Sequence, residues 1–461
     1  MADNELIVGK PRLGWLIDGN PKTPEAAVML RDTGSVIELR IPLQGMLGEE
    51  GPYGRWWSSL TMYADDPERT KYSYTPPHVM LFHDDCGVVA LVGCRARRAR
   101  KTLDAGYGVI VANYAVLGGR SSKYDKVNGM RSDIAAMAAW TGITSMDVKP
   151  SNDADGLLET VQVELKRLAP VPVSRTLNLT IHPLWEASHT RSAFSTRERI
   201  VLETTVKKAR SWEEHLKVHG AVWDLVSIAA WKPFTVARLE VCRGDDLVRT
   251  SRGKTERWSQ VATHRLPRYG DDDSQSISFL FWYDNIGARG VKHWLRLREE
   301  YTDAFDPFLS ILRSDDPWND ANVVQIGIVL EKLGYLIDIK KNEGAHLNER
   351  NQLNFMDALQ VILDDMPVTP FIDDDTENEA HEDELSVDDT GDAWKHNIRA
   401  AYMGLKHADR TLPNSLDLTN ALRKSILVVR FWIAVQIGVH KNFLKEARKY
   451  DPLSKRFIEI Y

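Results

Sequence analysis

The sequence predicts an α+β protein of more than one domain: a β-rich region over residues 1–290, then an all-α helical bundle over 291–461. Three observations carry this. Before residue 290, apolar runs of strand length recur between loops. From Gly290 onward apolar residues return every three or four positions instead. Eleven of the fourteen tryptophans precede residue 300, where they can pin a large sheet core. At 461 residues the chain is long enough for two or three such cores.

The strand-like runs are SVIELRIPL (35–43), LNLTIHPLW (177–185), RIVLETTV (199–206), TVARLEVC (235–242) and ISFLFWYDNI (277–286). Residues 76–97 give two apolar runs around a polar, Gly-containing turn, which is a hairpin pattern. Two helices interrupt the sheet, at 130–142 and 211–231. The bundle is read as six helical segments: 293–313, 318–341, 353–366 (stopped by Pro367 and Pro370), 393–410, 416–439 and 441–450. The stretch at 425–439 is too short to span a bilayer and carries Arg430 and Gln436, so it reads as a buried helix. The first residues lack the apolar core of a signal peptide, and three cysteines (Cys86, Cys94, Cys242) without metal-ligand spacing suit free thiols in a reducing cytoplasm.

The net charge of −6 conceals a segregation of charge. Residues 373–392 hold eleven carboxylates and no Lys or Arg, so the rest of the chain has 54 acids against 59 bases. Residues 393–461 carry thirteen Lys/Arg against five Asp/Glu. A basic C-terminal module behind an acidic segment points to a polyanionic partner. The acidic segment reads as a solvated loop; a competing reading has it occupying the basic module as a nucleic-acid mimic.

The basic module centres on NIRAAYMGLKHADR (397–410). On a helical wheel Ile398, Ala401 and Leu405 form the apolar stripe, and His407 lies about 180° from Ile398. Arg399 and Lys406 share a face with Tyr402 between them. A histidine can act as acid or base near neutral pH, and guanidinium or ammonium groups beside it can hold phosphate. An outward Arg/Lys/His face is otherwise an ordinary solvated surface. Arg430, in an apolar helix, needs an anionic partner and reads either as site support or as a structural ion pair.

Other chemistries lack their patterns. Residues 106–119 hold glycines without a G-x-G-x-x-G order, and His215 and His219 lack the H-E-x-x-H glutamate. No G-x-S-x-G elbow or EF-hand loop is present. CRARRARK (94–101) is a basic cluster after a strand, read as a charged surface turn or as a contact for nucleic acid or another macromolecule.

The helical half resembles a HEPN domain, through WKHNIRAAYMGLKHADR followed by LRKSILVVRFWIAVQIGV. The N-terminal half resembles the β-rich region of ApeA-type anti-phage proteins, through residues 60–95, LNLTIHPLW and FLFWYDNIGARGVKHWLRLREEY. The resemblance implies an abortive-infection endoribonuclease without a metal or cofactor requirement, in which the ribose 2′-hydroxyl attacks the adjacent phosphate and leaves a 2′,3′-cyclic phosphate. It implies RNA as substrate, tRNA first, a phage-derived trigger sensed by the β region, and a homodimer or higher oligomer formed through the helical domain. HEPN ribonucleases separate arginine and histidine by four to six residues. Carried over, His407 is the acid/base and Arg399 the phosphate ligand, with Lys406, Tyr402, Arg410 or Arg430 able to share the arginine's role. Seven residues separate Arg399 from His407, a rise of about 12 Å on a continuous helix. A HEPN fold that only binds RNA or protein is the alternative.

Overall fold

The computed structural model describes residues 4–17, 26–44, 53–58, 63–102, 105–251, 253–266, 268–269, 277–371 and 390–458. Strands dominate up to residue 263 and helices thereafter, as expected.

The strands are β1 (Arg12–Ile17), β2 (Ala26–Asp32), β3 (Ile37–Gln44), β4 (Val79–Asp84), β5 (Gly87–Val92), β6 (Arg95–Lys101), β7 (Ala105–Ala112), β8 (Tyr114–Leu117) and β9 (Lys126–Ile134). They continue with β10 (Met146–Asn152), β11 (Leu158–Leu165), β12 (Val171–Ser174), β13 (Leu179–His189), β14 (Phe194–Ser211), β15 (Val236–Cys242), β16 (Leu247–Thr250), β17 (Gly253–Glu256) and β18 (Ser259–Thr263). Fourteen of them make one antiparallel sheet in the order β12-β13-β14-β9-β15-β18-β8-β5-β4-β1-β2-β3-β7-β6, while β10–β11 and β16–β17 are separate hairpins. Leu16, Leu30, Leu39, Phe82 and Ile110 fill one core, and Val116, Met130, Val241 and Trp212 belong to a second. The hairpin read at 76–97 is β4–β5, joined at Asp84↔Gly87.

Three local expectations need correction. The basic cluster after β5 is no turn: it is β6, the edge strand, paired on one side only. The helix expected at 130–142 shrinks to α1 (Met137–Thr141), because β9 runs on to Ile134 and pairs with β14 and β15 on its two sides. Residues 277–282 form no strand; they run irregularly into α3 (Tyr283–Glu300) and bury Phe279, Leu280 and Phe281. A short apolar run does not reveal which partner will bury it.

The helix α2 (Trp212–Ala230) follows β14 directly. Ser211 caps it: its hydroxyl accepts from the Glu214 amide at 3.3 Å, and the Glu214 carboxylate accepts from the Ser211 amide at 3.0 Å. The helix packs against β9 and β14 of the sheet and against α3 and α4 of the helical half. One face presents His219, wholly buried, whose ring nitrogens meet Ser132 Oγ (2.6 Å) and Thr204 Oγ1 (2.9 Å). His215 meets the same Thr204 hydroxyl at 2.7 Å, so this pair is committed to packing.

The bundle comprises α3, α4 (Thr302–Leu312), α5 (Asp320–Lys341), α6 (Phe355–Asp364), α7 (Gly391–Lys406), α8 (Ser415–Gln436) and α9 (Lys441–Tyr450). The segment expected as one helix at 293–313 breaks into α3 and α4 at Tyr301. The expected boundary at 290/291 falls inside α3, and one continuous core joins α2, Ile181 and Leu202 to the helices. Arg430 of α8 ties that joint. It is 1 % exposed, donates to Ile228 O (2.8 Å) and Ala229 O (2.7 Å) at the end of α2, and pairs with buried Asp451 at 2.9 Å. Among the described residues no helix is long and apolar enough to cross a membrane.

Candidate functional site

The site candidates converge on α7. Thr390 caps the helix by accepting from the Ala393 amide at 3.2 Å, and Asp392 lies in the first turn. The acidic segment therefore ends inside the helix start, and residues 373–389 lie outside the described ones. Trp394, Ile398, Ala401 and Tyr402 form the buried stripe.

Two corrections follow. The helix expected to reach 410 ends at Lys406, and His407 is extended (φ −128°, ψ 119°) while its amide still bonds Met403 O at 3.0 Å. The cause lies in Gly404. The chain turns at 408–410 and returns across that glycine, where a Cβ would stand 2.9 Å from Thr411 O and 3.2 Å from Leu412 Cα. Tyr402 is not part of an outward stripe either: it is 1 % exposed, its ring tilted against Phe355 at 5.1 Å and packed over Gly327. It stands about 40° from Ile398 on the wheel and so joins the apolar face.

Lys406 follows Tyr402. Its ammonium donates to Tyr402 Oη (3.2 Å), which donates to Glu331 Oε2 (3.1 Å) on α5. Burial raises the Tyr402 hydroxyl pKa, and the tyrosine bond raises that of Lys406.

On the other flank a cleft of about 560 Å³ opens beneath the end of α7. It is lined by Arg399, Met403, His407, Asp409, Arg410 and Thr411, with Ala400 at its edge. Arg399, His407 and Arg410 are all exposed. The turn bond from the Arg410 amide to His407 O (3.1 Å) brings Arg410 back toward the histidine. Thus Arg399, His407 and Arg410 share one cavity wall, Lys406 and Tyr402 face α5, and Arg430 is consumed at the α2 joint.

Ala400 also borders a second cleft of about 380 Å³, lined by Asn397, Asp417, Asn420, Arg423, Lys424 and Arg456 among others. Sequence reading did not single out Arg423, Lys424 and Arg456; only the base excess of the last segment signalled them. Arg423 donates to Asn420 Oδ1 (3.2 Å) and to Leu453 O, and Lys424 lies 5.2 Å from the Phe371 ring. The first concavity presents exposed Arg399 and Arg410, which suit a phosphodiester chain, whereas Arg423 and Lys424 in the second are buried.

Elsewhere, a cleft of about 850 Å³ between α2, α3 and residues 174–176 contains Asp224. Burial pushes that carboxyl up against the pull of Arg313 and Arg298, both of which bind it. Among the described residues, Asp84, Asp85 and Cys86 bring possible metal-ligand atoms together. Asp84 is occupied there by a bidentate bond from Arg12 (2.7 and 2.8 Å) and by two turn amides.

An antiparallel sheet fused through a shared core to a helical bundle with an exposed Arg/His cleft defines a two-part protein, one part sheet and one part candidate site. Residues 12–296 match the model of ApeA N-terminal domain 1, and the chain belongs to that family, which supports a role in anti-phage defence. The matched residues end within α3 and do not include α7. No curated protein and no solved structure matches the chain.

Proposed function

We propose that the chain is an anti-phage HEPN-type endoribonuclease whose site is the cleft at the end of α7. The observation that carries this is the convergence of Arg399, His407 and Arg410 on one cavity wall. In the reaction, the ribose 2′-oxygen loses its proton and bonds to the adjacent phosphorus. The P–O5′ bond breaks, the leaving oxygen takes up a proton, and the products are a 2′,3′-cyclic phosphate and a 5′-hydroxyl. His407 serves as the base or the acid, and the guanidinium groups of Arg399 and Arg410 offset charge on the phosphorane oxygens. One imidazole performs one of these transfers at a time. A second copy of the chain, docked through the helical half, supplies the other and shields the cleft. Transfer RNA is the first substrate to test, and a phage-derived trigger acts on the β region.

The second reading is an RNA- or protein-binding module without catalysis. It draws on the His407 imidazole, which has no hydrogen-bond partner among the described residues to fix its tautomer. Phage challenge of cells carrying the wild-type or the His407→Ala chain, with RNA end-mapping after infection, separates them. The nuclease reading expects cyclic-phosphate ends and protection in wild type and neither in the variant. Equal protection from both would place the function outside this cleft.

A further inference from the structure

The edge strand β6 contributes to a cationic sheet face that the α7 cleft does not explain. Opposed residues on antiparallel strands share a face. Leu13, Met29, Arg40, Val109 and Arg98 therefore form one row across β1, β2, β3, β7 and β6. The row on one side is Arg31, Glu38, Val111 and Arg95; the row on the other is Pro42, Tyr107 and Arg100. The opposite face carries Leu30, Leu39 and Ile110 into the core; on this face Leu13, Arg95, Arg98 and Arg100 are exposed and Arg31 and Arg40 half-buried, while Glu38 and Val109 are buried.

Five arginines occupy this outer face, and Glu38 is the acid that stands among them. Glu38 is taken by Arg40 (2.8 Å). Arg31 Nε is buried without a hydrogen-bond partner. Arg95 and Arg265 converge on the neutral Asn113 Oδ1, at 3.2 and 2.7 Å. Arg98 and Arg100, with Arg97 in the bulge between them and Ala96, are exposed and make no hydrogen bond or ion pair among the described residues. Aromatic rings are interleaved. Trp15, 47 % exposed, stacks on His83 at 5.6 Å, and Tyr107 lies beneath the Arg40 guanidinium at 5.3 Å.

We propose that this outer sheet face binds an unpaired nucleic-acid strand, its arginines on the phosphates and its exposed rings on the bases. Charge complementarity selects a polyanion. The exposed indole selects a strand with free base faces over a duplex, whose bases are already stacked. Nothing on the face reads a ribose hydroxyl, so RNA and DNA strands bind alike. Arginines on an edge strand also discourage sheet-to-sheet pairing, a role that needs charge of either sign. Five cations spread over three strands, two of them on interior strands β2 and β3, exceed what edge protection requires.

The test uses the full chain carrying His407→Ala, so that binding is read without cleavage and stands or falls apart from the nuclease reading. Fluorescence anisotropy follows a labelled oligouridylate, an oligothymidylate and a duplex over a series of salt concentrations. Arg98→Glu/Arg100→Glu keeps the edge charged yet reverses its sign. Losing two phosphate contacts lowers the salt slope by about 1.4 and the affinity for both strands about 25-fold near 0.1 M salt. Arg98→Lys/Arg100→Lys retains most of the affinity, and Trp15→Ala weakens binding about fivefold or more. The control Lys149→Glu/Lys166→Glu alters net charge equally on the remote β10–β11 hairpin, where both lysines are exposed. Unchanged binding in the β6 reversal, equal loss in the hairpin control, or preference for duplex would each overturn the proposal. So would capture of anionic vesicles or an acidic peptide in place of the strands.

Discussion

Arg430→Ala tests whether the buried arginine of α8 is structural. The substitution removes an ion pair with Asp451, whose side chain is 1 % exposed, and two charge-assisted bonds to Ile228 O and Ala229 O. Each such bond contributes about 1.5–3 kcal/mol, but the three share one guanidinium and do not add. Stranding a buried carboxylate costs about 3–5 kcal/mol, which bounds the effect. With roughly 2.1 cal/mol/K of unfolding entropy per residue, 461 residues unfolding together give about 1 kcal/mol per kelvin. The expected drop in Tm is therefore about 3–5 °C, with a matching shift in urea midpoint and little change in m. Asp451→Asn keeps the acceptor for the Leu453 amide (2.9 Å) while removing the charge, so a double-mutant cycle with Arg430→Met isolates the pair. A cost below about 1 kcal/mol for Arg430→Ala, with RNA cleavage nevertheless abolished, would refute the structural assignment and return Arg430 to the site.

If the chain cleaves RNA as proposed, Lys406→Ala should leave cleavage near wild type while Arg399→Ala and Arg410→Ala reduce it at least about tenfold, since the two arginines line the cleft and Lys406 does not; cleavage assays on purified chains would expose the opposite order. Gly404→Ala forces a Cβ to 2.9 Å from Thr411 O, so stability should fall by about 1–3 kcal/mol in urea titrations and the cleft geometry should degrade with it. His346 bonds Asp338 (2.6 Å), which raises the imidazole pKa; burial works to raise the Asp338 carboxyl, but the bonds from His346 and Asn342 hold it low. This pair stabilises the fold fully below the ordinary imidazole pKa and above the ordinary carboxylate one, and its contribution fades as pH rises through the raised imidazole value. NMR titration should show His346 titrating above 6.5 and returning toward it in Asp338→Asn. Burial pushes His219 down to about 3, so the unfolded chain binds the extra proton and stability falls as pH drops from about 6.5 toward 3; a His219 ring that titrates between pH 5 and 8 would contradict this.

Much of the fold was legible because burial on one side leaves a period in the residues. The stripe Ile398–Ala401–Leu405 announces α7, and the run at 211–231 announces α2. What failed was information that the chain holds only in three dimensions. The apolar run at 277–283 is the same whether sheet or helices bury it, and the run of cations at 95–101 shows no strand period until its pairing with β7 is known. The candidate site shows the same limit more sharply. The seven residues between Arg399 and His407 all lie within α7, so Arg399 stays at least about 10 Å of rise before the histidine. Gly404 allows residues 411–412 to fold back, the helix stops at Lys406, and Arg410 swings toward His407 from the far side of a turn. The arginine that a spacing rule for continuous helix could not offer is thus Arg410, three residues after the histidine, because the turn that follows the helix end, and not the helix, sets its place.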